Sequence, residues 1–303
     1  MAESLAHRWG QIIGGVFEDF VRSLLSDAAA RHELFLDYKR PRKARAKQAG
    51  GKDLSKVTWH DSWGNKHDLD YVLEHGGTEE KIGTPAAFIE SAWRRYTKHS
   101  KNKVQEIESA VMPVVDAFSR HRPFCGAVLA GEFTRSALQQ LESKGFCVLY
   151  LPYQSILTAF SDLGIDAAST DGTGGTKEIE FRRKIAAWER LPQPQATEQI
   201  LQKLRGLHGG EIDRFLELLE ASLTRKVQGV RVTVLRGHVV EVHDAESAIE
   251  YLIEERDSTR LREDESERES FEVQIRFSNG VKVEAVFPAR QEAIAFLRSF
   301  IGR

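Results

Sequence analysis

Cysteine is almost absent: Cys125 and Cys147 are the two in 303 residues. Both sit in apolar, strand-like runs, which reads as reduced core thiols in a cytoplasmic protein. They form no CxxC pair, which argues against a zinc finger. No apolar run approaches the roughly 18–20 residues of a membrane helix. The N-terminal MAESLAHRWGQIIGG lacks the charged and apolar regions of a signal peptide. The glycine loop DGTGGT, 171–176, is not followed by Gly-Lys-Ser/Thr at P-loop spacing, so it reads as a connector. Ser91 and Ser100 stand in no recognisable His/Asp pattern, which disfavours nucleophilic catalysis. An excess of charge of one sign is also missing, since the formal net charge is -2.

What remains is a chain of ordinary globular composition, 41% hydrophobic and 29% charged. Its length allows two domains of about 100–200 residues. The near-neutral total conceals an uneven distribution. Residues 38–56 carry eight Lys or Arg against one Asp, and residues 94–103 carry five more. Acidic residues gather later, around 246–272. The N-terminal half therefore has the makings of a basic face for a polyanion.

Apolar residues at three- and four-residue spacing from Trp9 to Leu25 predict an amphipathic helix over 5–32. The basic stretch 39–56, with Pro41 and Gly50-Gly51, reads as a loop. Strands are expected at 57–61 and 68–74, paired as a hairpin, and at 86–96. A helix at 103–121, a strand at 125–130, a helix at 134–144 capped by Thr134, and a strand at 146–151 follow. This order predicts an α/β fold with a mixed central sheet flanked by helices. Residues 154–226 read as a helical extension. From 227 an internal repeat appears: VRVTVLRGHVVEVHDAESAIEYL resembles FEVQIRFSNGVKVEAVFPARQEAIAFL. Each copy reads strand, turn, strand, helix, with Asn279-Gly280 a strong hairpin signal. The expected domains are 1–153, a helical linker 154–226 and a small α+β module at 227–303.

The segment from Asn65 to Lys103 carries the chemistry. Two short apolar runs, HDLDYVLE and FIESAW, each hold an acid, Asp70 and Glu90. Carboxylates on adjacent strands can hold a hard divalent cation such as Mg2+ or Mn2+. A metal so held activates water and neutralises charge on a phosphodiester. Asp68, two residues before Asp70, projects to the same side if one strand continues, and is a further candidate ligand. Lys39, Arg40, Arg42, Lys43 and Arg45 from the first basic run, with Arg94, Arg95, Lys98, Lys101 and Lys103 from the second, are the candidate DNA-backbone contacts.

Over about residues 5–151 this layout resembles the PD-(D/E)XK nuclease superfamily, the restriction-endonuclease-like fold. The first acid of its motif fits Asp70 and the second fits Glu90. An acid on the first helix often supports such a site, and Glu18 in GGVFEDF occupies that place. The resemblance implies a Mg2+- or Mn2+-dependent endonuclease on double-stranded DNA, of type II restriction or phage-defence kind, commonly a homodimer. The C-terminal module would then supply specificity, dimerisation or a surface for a protein partner. One departure stands out: the motif's lysine position is Ala92. Three explanations compete. The lysine has migrated to Lys98, Lys101 or Lys103; the domain only binds; or the chain carries an inactivating Lys→Ala substitution, which the intact surroundings favour. A non-catalytic DNA-binding adaptor and a repair or recombination nuclease are the alternative functions.

Overall fold

The computed structural model describes residues 4–45, 55–168, 175–234, 238–259 and 270–301, with the side chains of 99, 175–177 and 255–259 outside that description. Most of the glycine loop 171–176 and of the charged segment 255–269, and part of the basic stretch 39–56, lie outside the described residues. The class is α/β: a mixed sheet flanked by helices. The chain divides into two compact units, Met1–Phe118 with Pro123–Glu220, and Ser119–Arg122 with Ala221–Arg303. Among the described residues no helix is long and apolar enough to cross a membrane.

The first unit opens with helix α1, Leu5–Arg31. The Ser4 side chain caps it by accepting from the His7 N–H at 3.2 Å. Trp9, Ile13, Val16, Phe17, Phe20, Val21 and Leu24 form its buried stripe. A five-stranded sheet follows in the order β1 (Phe35–Tyr38), β4 (Tyr71–His75), β5 (Thr84–Arg94), β6 (Phe124–Gly131), β7 (Cys147–Pro152). The first three strands are antiparallel neighbours, and β5, β6 and β7 are parallel. Helices α2 (Ser100–Ala117) and α3 (Arg135–Ser143) carry the parallel crossovers. Thr134 caps α3 by accepting from the Ala137 N–H at 3.2 Å, as its sequence predicts.

Two sequence expectations change. The run 68–74 is not one strand. It breaks at Asp70 into β3 (Lys66–Leu69), which pairs with β2 (Val57–His60), and β4 of the central sheet. The β2–β3 hairpin is a separate two-stranded sheet, and the strand that pairs with β4 at the edge of the central sheet is β1. The cause is in the residues: Trp59 and Leu69 bury the hairpin's inner side against the core, while its tip stays polar apart from Trp63, 90% exposed. The second change concerns residues 154–226. Their helices α4 (Tyr153–Ser161), α5 (Gly175–Glu189), α6 (Gln193–Leu207) and α7 (Gly209–Leu223) are not a linker. Trp9 meets Phe160 edge-on at 5.6 Å and donates its indole N–H to the Ala167 carbonyl at 3.3 Å. Ile200, Leu204 and Phe215 are likewise buried, so these helices complete the core of the first unit.

The second unit holds a four-stranded antiparallel sheet, order β11 (Lys282–Phe287), β10 (Phe271–Phe277), β8 (Val227–Val234), β9 (Val239–Val242). Helices α8 (Ala245–Thr259) and α9 (Arg290–Arg298) follow the two hairpins. The repeat in the sequence is thus a repeat in the fold, with β8 and β10, the first strand of each copy, side by side at the centre. Val232, Val273, Ile275, Val283 and Phe287 face Ala248, Leu252, Ala293 and Leu297 in one apolar cluster. The other face of the sheet is polar and carries the Arg231–Glu241 and Gln274–Glu284 cross-strand pairs.

Candidate active site

The pairing of β4 with β5 sets up the site. Its register runs from His75↔Thr84 to Tyr71↔Ile89 and stops there. Beyond Ile89, β5 stays paired with β6 as far as Arg94↔Gly131. The sheet therefore forks at Asp70, where the chain passes from the hairpin into the central sheet. Backbone N–H groups at such a fork have lost their ladder partners and need others. The Asp70 carboxylate supplies one, accepting from the Ser91 N–H at 2.8 Å and the Ser91 hydroxyl at 3.2 Å. Glu90 supplies the reciprocal one, accepting from the Asp70 N–H at 3.0 Å. Two acids 20 residues apart are locked together by backbone contacts at the end of a strand pair.

Glu90 sits on a central strand among Phe88, Ile89 and Ala127 and is 5% exposed. Burial pushes its carboxyl well above the usual range, and the negative charge of Asp70 adds to this. The Asp70 N–H and the charge of Lys103 work in the opposite direction. Glu18 on α1 is exposed at the surface, yet partial desolvation followed by Asp70 raises its carboxyl too, while Lys39 lowers it. The Tyr71 hydroxyl donates to the Glu18 carbonyl at 3.0 Å and fastens α1 to the fork. Glu18, Asp70 and Glu90 thus form one acidic neighbourhood with Asp70 between the others, faced by Lys39 and Lys103.

The raised Glu90 has a measurable consequence. The folded chain holds the Glu90 proton more tightly than the unfolded chain does. Stability from that difference is complete below the unfolded carboxyl's range and is lost as pH rises through the raised folded value. Glu90→Gln keeps an oxygen for the Asp70 N–H and removes the charge. Without divalent cations, Glu90→Gln is expected to melt higher than wild type near about pH 8 and close to it near about pH 4, as followed by circular dichroism. Equal melting temperatures at the higher pH would refute a buried, destabilising charge.

The other sequence candidates separate sharply. Asp68 belongs to the hairpin: its carboxylate accepts from Lys56 and from the Thr58 hydroxyl, each at 2.6 Å. The strand break removes the same-face relation to Asp70 on which its role as a ligand rested. Arg42 and Arg45 are not surface contacts for DNA; their side chains are 0% and 3% exposed. Arg42 donates to Asp37 at 2.7 Å, to both Glu74 oxygens at 2.6 and 3.0 Å, and to the Thr78 and Lys81 carbonyls. Arg45 also pairs with Asp37, and Arg40 is held two-pronged by Glu79. Of the first basic run, Lys39 and Lys43 stay exposed. In the second run Lys98 and Lys101 are exposed, while Arg94 and Arg95 line a cavity beside Tyr96. Lys103, in the first turn of α2, pairs its ammonium with Glu106 at 3.3 Å, and its charge acts to lower the Glu90 carboxyl.

Ala92 is 5% exposed and packs in the cluster of Phe88, Val104 and Ile107. Sequence reasoning missed Ser91, whose N–H and hydroxyl orient Asp70; its position between Glu90 and Ala92 was the signal. As a metal site the constellation is lean. Among the described residues no group of three or more His, Cys, Asp and Glu is placed to hold an ion. Asp70 and Glu90 supply hard carboxylate oxygens, a set that suits Mg2+, which commonly takes one or two carboxylates and fills its sphere with water and phosphate oxygens. Comparison with known proteins adds no name, for no family model, no curated protein and no solved structure matches this chain.

Proposed function

We propose that the chain is a metal-dependent nuclease of the PD-(D/E)XK kind, hydrolysing phosphodiester bonds at the fork between β4 and β5. The observation that carries the reading is the pair of crossed bonds at the end of a strand pair, Glu90 accepting from the Asp70 N–H and Asp70 from the Ser91 N–H, with both carboxylates in one acidic neighbourhood. A carboxylate buried beside a second negative charge costs folding energy, and such perturbed groups cluster at functional sites. Asp70 and Glu90 would hold Mg2+ or Mn2+, which supplies Lewis acidity and a water of lowered pKa when bound. The chain's own groups do the rest. Ser91 keeps the Asp70 carboxylate turned into the fork. Lys39 and the exposed Lys98 and Lys101 attract the phosphate backbone. Glu18 adds a third acid, its proton affinity raised by partial desolvation and by Asp70.

Lys103 takes the place of the missing motif lysine. Its charge already acts on Glu90, and it sits on the helix that follows the active-site strand. Released from its 3.3 Å pairing with Glu106, its ammonium would stabilise charge developing on the phosphoryl oxygens. This favours a migrated lysine over an inactivating substitution at 92, and the two readings give opposite results. Lys103→Ala is expected to lower cleavage of plasmid or oligonucleotide about 100-fold while leaving binding within a few-fold. Ala92→Lys is expected to add no activity and to melt lower, because its stem enters an apolar cluster. Cleavage appearing only in the Ala92→Lys chain would sink the Lys103 assignment.

A second reading, a nucleic-acid-binding protein without catalysis, is favoured by the lean metal set and by Ala92. It requires that wild type retain nucleic acid in a gel shift and cleave none of duplex, nicked, flap or single-stranded substrates with Mg2+ or Mn2+.

A further inference from the structure

A cavity of about 520 Å³ opens beside the acidic fork, between the N-terminal half of α1 and the end of β5. Its position follows from the two elements that build the fork. On α1, Gln11 precedes Glu18 by seven residues, two helical turns, so both lie on one stripe about 10 Å apart. On β5, Trp93 follows Glu90 by three residues, about 10 Å along the strand but on the opposite face of the sheet. The cavity therefore lies at the end of the strand, about 10 Å from the carboxylates and not around them.

The lining is chemically specific. Trp93 stacks on Tyr153, with centroids 5.7 Å apart and planes at 25°. Tyr96 is 44% exposed, and the Arg95 guanidinium lies 5.1 Å from its ring centroid. Gln11, whose amide nitrogen lies 3.2 Å from the His7 ring nitrogen, and Asn102 bring side-chain amides beside the Glu106 carboxylate. Gly10 keeps one wall open, since a Cβ there would meet nothing within 4 Å. Aromatic faces, a guanidinium plane and paired amides are the equipment that reads and stacks unpaired bases. A base inside a duplex is stacked on both faces and cannot enter a concave site of this kind.

We propose that this cavity receives one unpaired nucleobase of the strand bound at the fork, so that the preferred substrate is single-stranded nucleic acid or a duplex with an extrahelical nucleotide. The place of the cavity in a cleavage reaction rests on the nuclease reading above, whereas base binding does not. Tyr96 is the stacking platform, Arg95 holds its plane, and Gln11 and Asn102 bond the base edge.

The test is fluorescence anisotropy in EDTA with three labelled DNA probes: a mixed-sequence single strand, its perfect duplex, and the duplex with one bulged nucleotide. Wild type is expected to bind the single strand and the bulge at least about 10-fold more tightly than the perfect duplex. Tyr96→Ala is expected to weaken both about 5- to 150-fold, and Tyr96→Phe to restore them to within a few-fold. Gly10→Leu fills the cavity at a helix position that tolerates leucine, so it reproduces the loss without unfolding α1. Equal affinity for the perfect duplex, or unchanged binding in Tyr96→Ala and Gly10→Leu, overturns the proposal. A cleavage arm with Mg2+ separates it from the nuclease reading. Loss of cleavage in Asp70→Asn with Tyr96-dependent binding intact supports both. Tyr96-dependent binding with no cleavage of any probe by wild type supports the cavity and ends the nuclease reading. Cleavage of the perfect duplex that ignores Tyr96→Ala does the reverse.

Discussion

Asp70→Asn should abolish cleavage, lowering it by about 10³-fold or more, with melting temperature and probe binding close to wild type. The expectation follows from what the substitution keeps. An asparagine oxygen can still accept from the Ser91 N–H and hydroxyl, so the fork stays closed at the bonds of 2.8 and 3.2 Å. It removes the negative charge that a divalent cation requires and that raises both Glu90 and Glu18. Loss of one of two anionic ligands costs about 4 kcal/mol of transition-state stabilisation at that fold-change. The measurement is initial rate against metal concentration. A variant rescued by tenfold more Mn2+ would assign Asp70 to metal affinity alone; undiminished activity at ordinary metal concentration would remove Asp70 from the reaction.

Arg42→Ala should be the most damaging single substitution for stability, at about 3–5 kcal/mol. Arg42 is the hub of a buried ionic cluster that ties the loop after β1 to the loop between β4 and β5. Deleting it leaves the Glu74 carboxylate, 0% exposed, without its two-pronged partner. Asp37 would retain only Arg45. Glu74 also accepts from the Gly83 N–H at 2.7 Å, so its loss of balance spreads into the β4–β5 turn. For a unit of this size the cost corresponds to a fall of roughly 6–20 °C in melting temperature. Arg42→Lys should recover little, because an ammonium cannot reproduce a planar fork with donors to both carboxylates and two carbonyls. A drop of under about 1 kcal/mol in urea titration would show the cluster to be dispensable. The salt dependence of nucleic-acid binding should not change in a folded Arg42 variant, since a buried guanidinium releases no counterions.

The contrast between Asp70 and Arg42 explains what could be read in advance. Asp70 and Glu90 stood out because an acid in an apolar run has no ordinary reason to be there, and that anomaly is local. The repeat in the second unit was legible for the same kind of reason. Asn279-Gly280 needs a positive φ, Gly280 adopts 80°, and alternating burial on both sides marks the strands. Arg42 looked like a solvated charge because most of the groups that bury it, Glu74 and the Thr78 and Lys81 carbonyls, lie more than 30 residues on. β1 escaped notice for a related reason. FLDY is four residues long, and its strand character comes from pairing with β4 rather than from its own pattern. The division of 68–74 into two strands was hidden because the apolar run of β4 follows β3 with one residue between them. Only the fork, a property of three strands together, decides that Asp70 ends one run and precedes the next.

The order in which the chain visits its two units matters for dissecting it. After Phe118 the chain gives Ser119–Arg122 to the C-terminal unit before returning at Pro123. Within that unit the Arg120 guanidinium lies 4.8 Å from the Phe287 ring centroid, and His121 meets Phe300 at 6.3 Å. Arg225 donates to the carbonyls of both His121 and Arg122. A fragment cut at the obvious boundary, carrying 221–303 alone, would uncover the Phe287 and Phe300 rings and take from Arg225 its two carbonyl acceptors. A faithful excision grafts the short 119–122 peptide back through a linker, and a library of truncations should show a solubility gap between fragments with and without it.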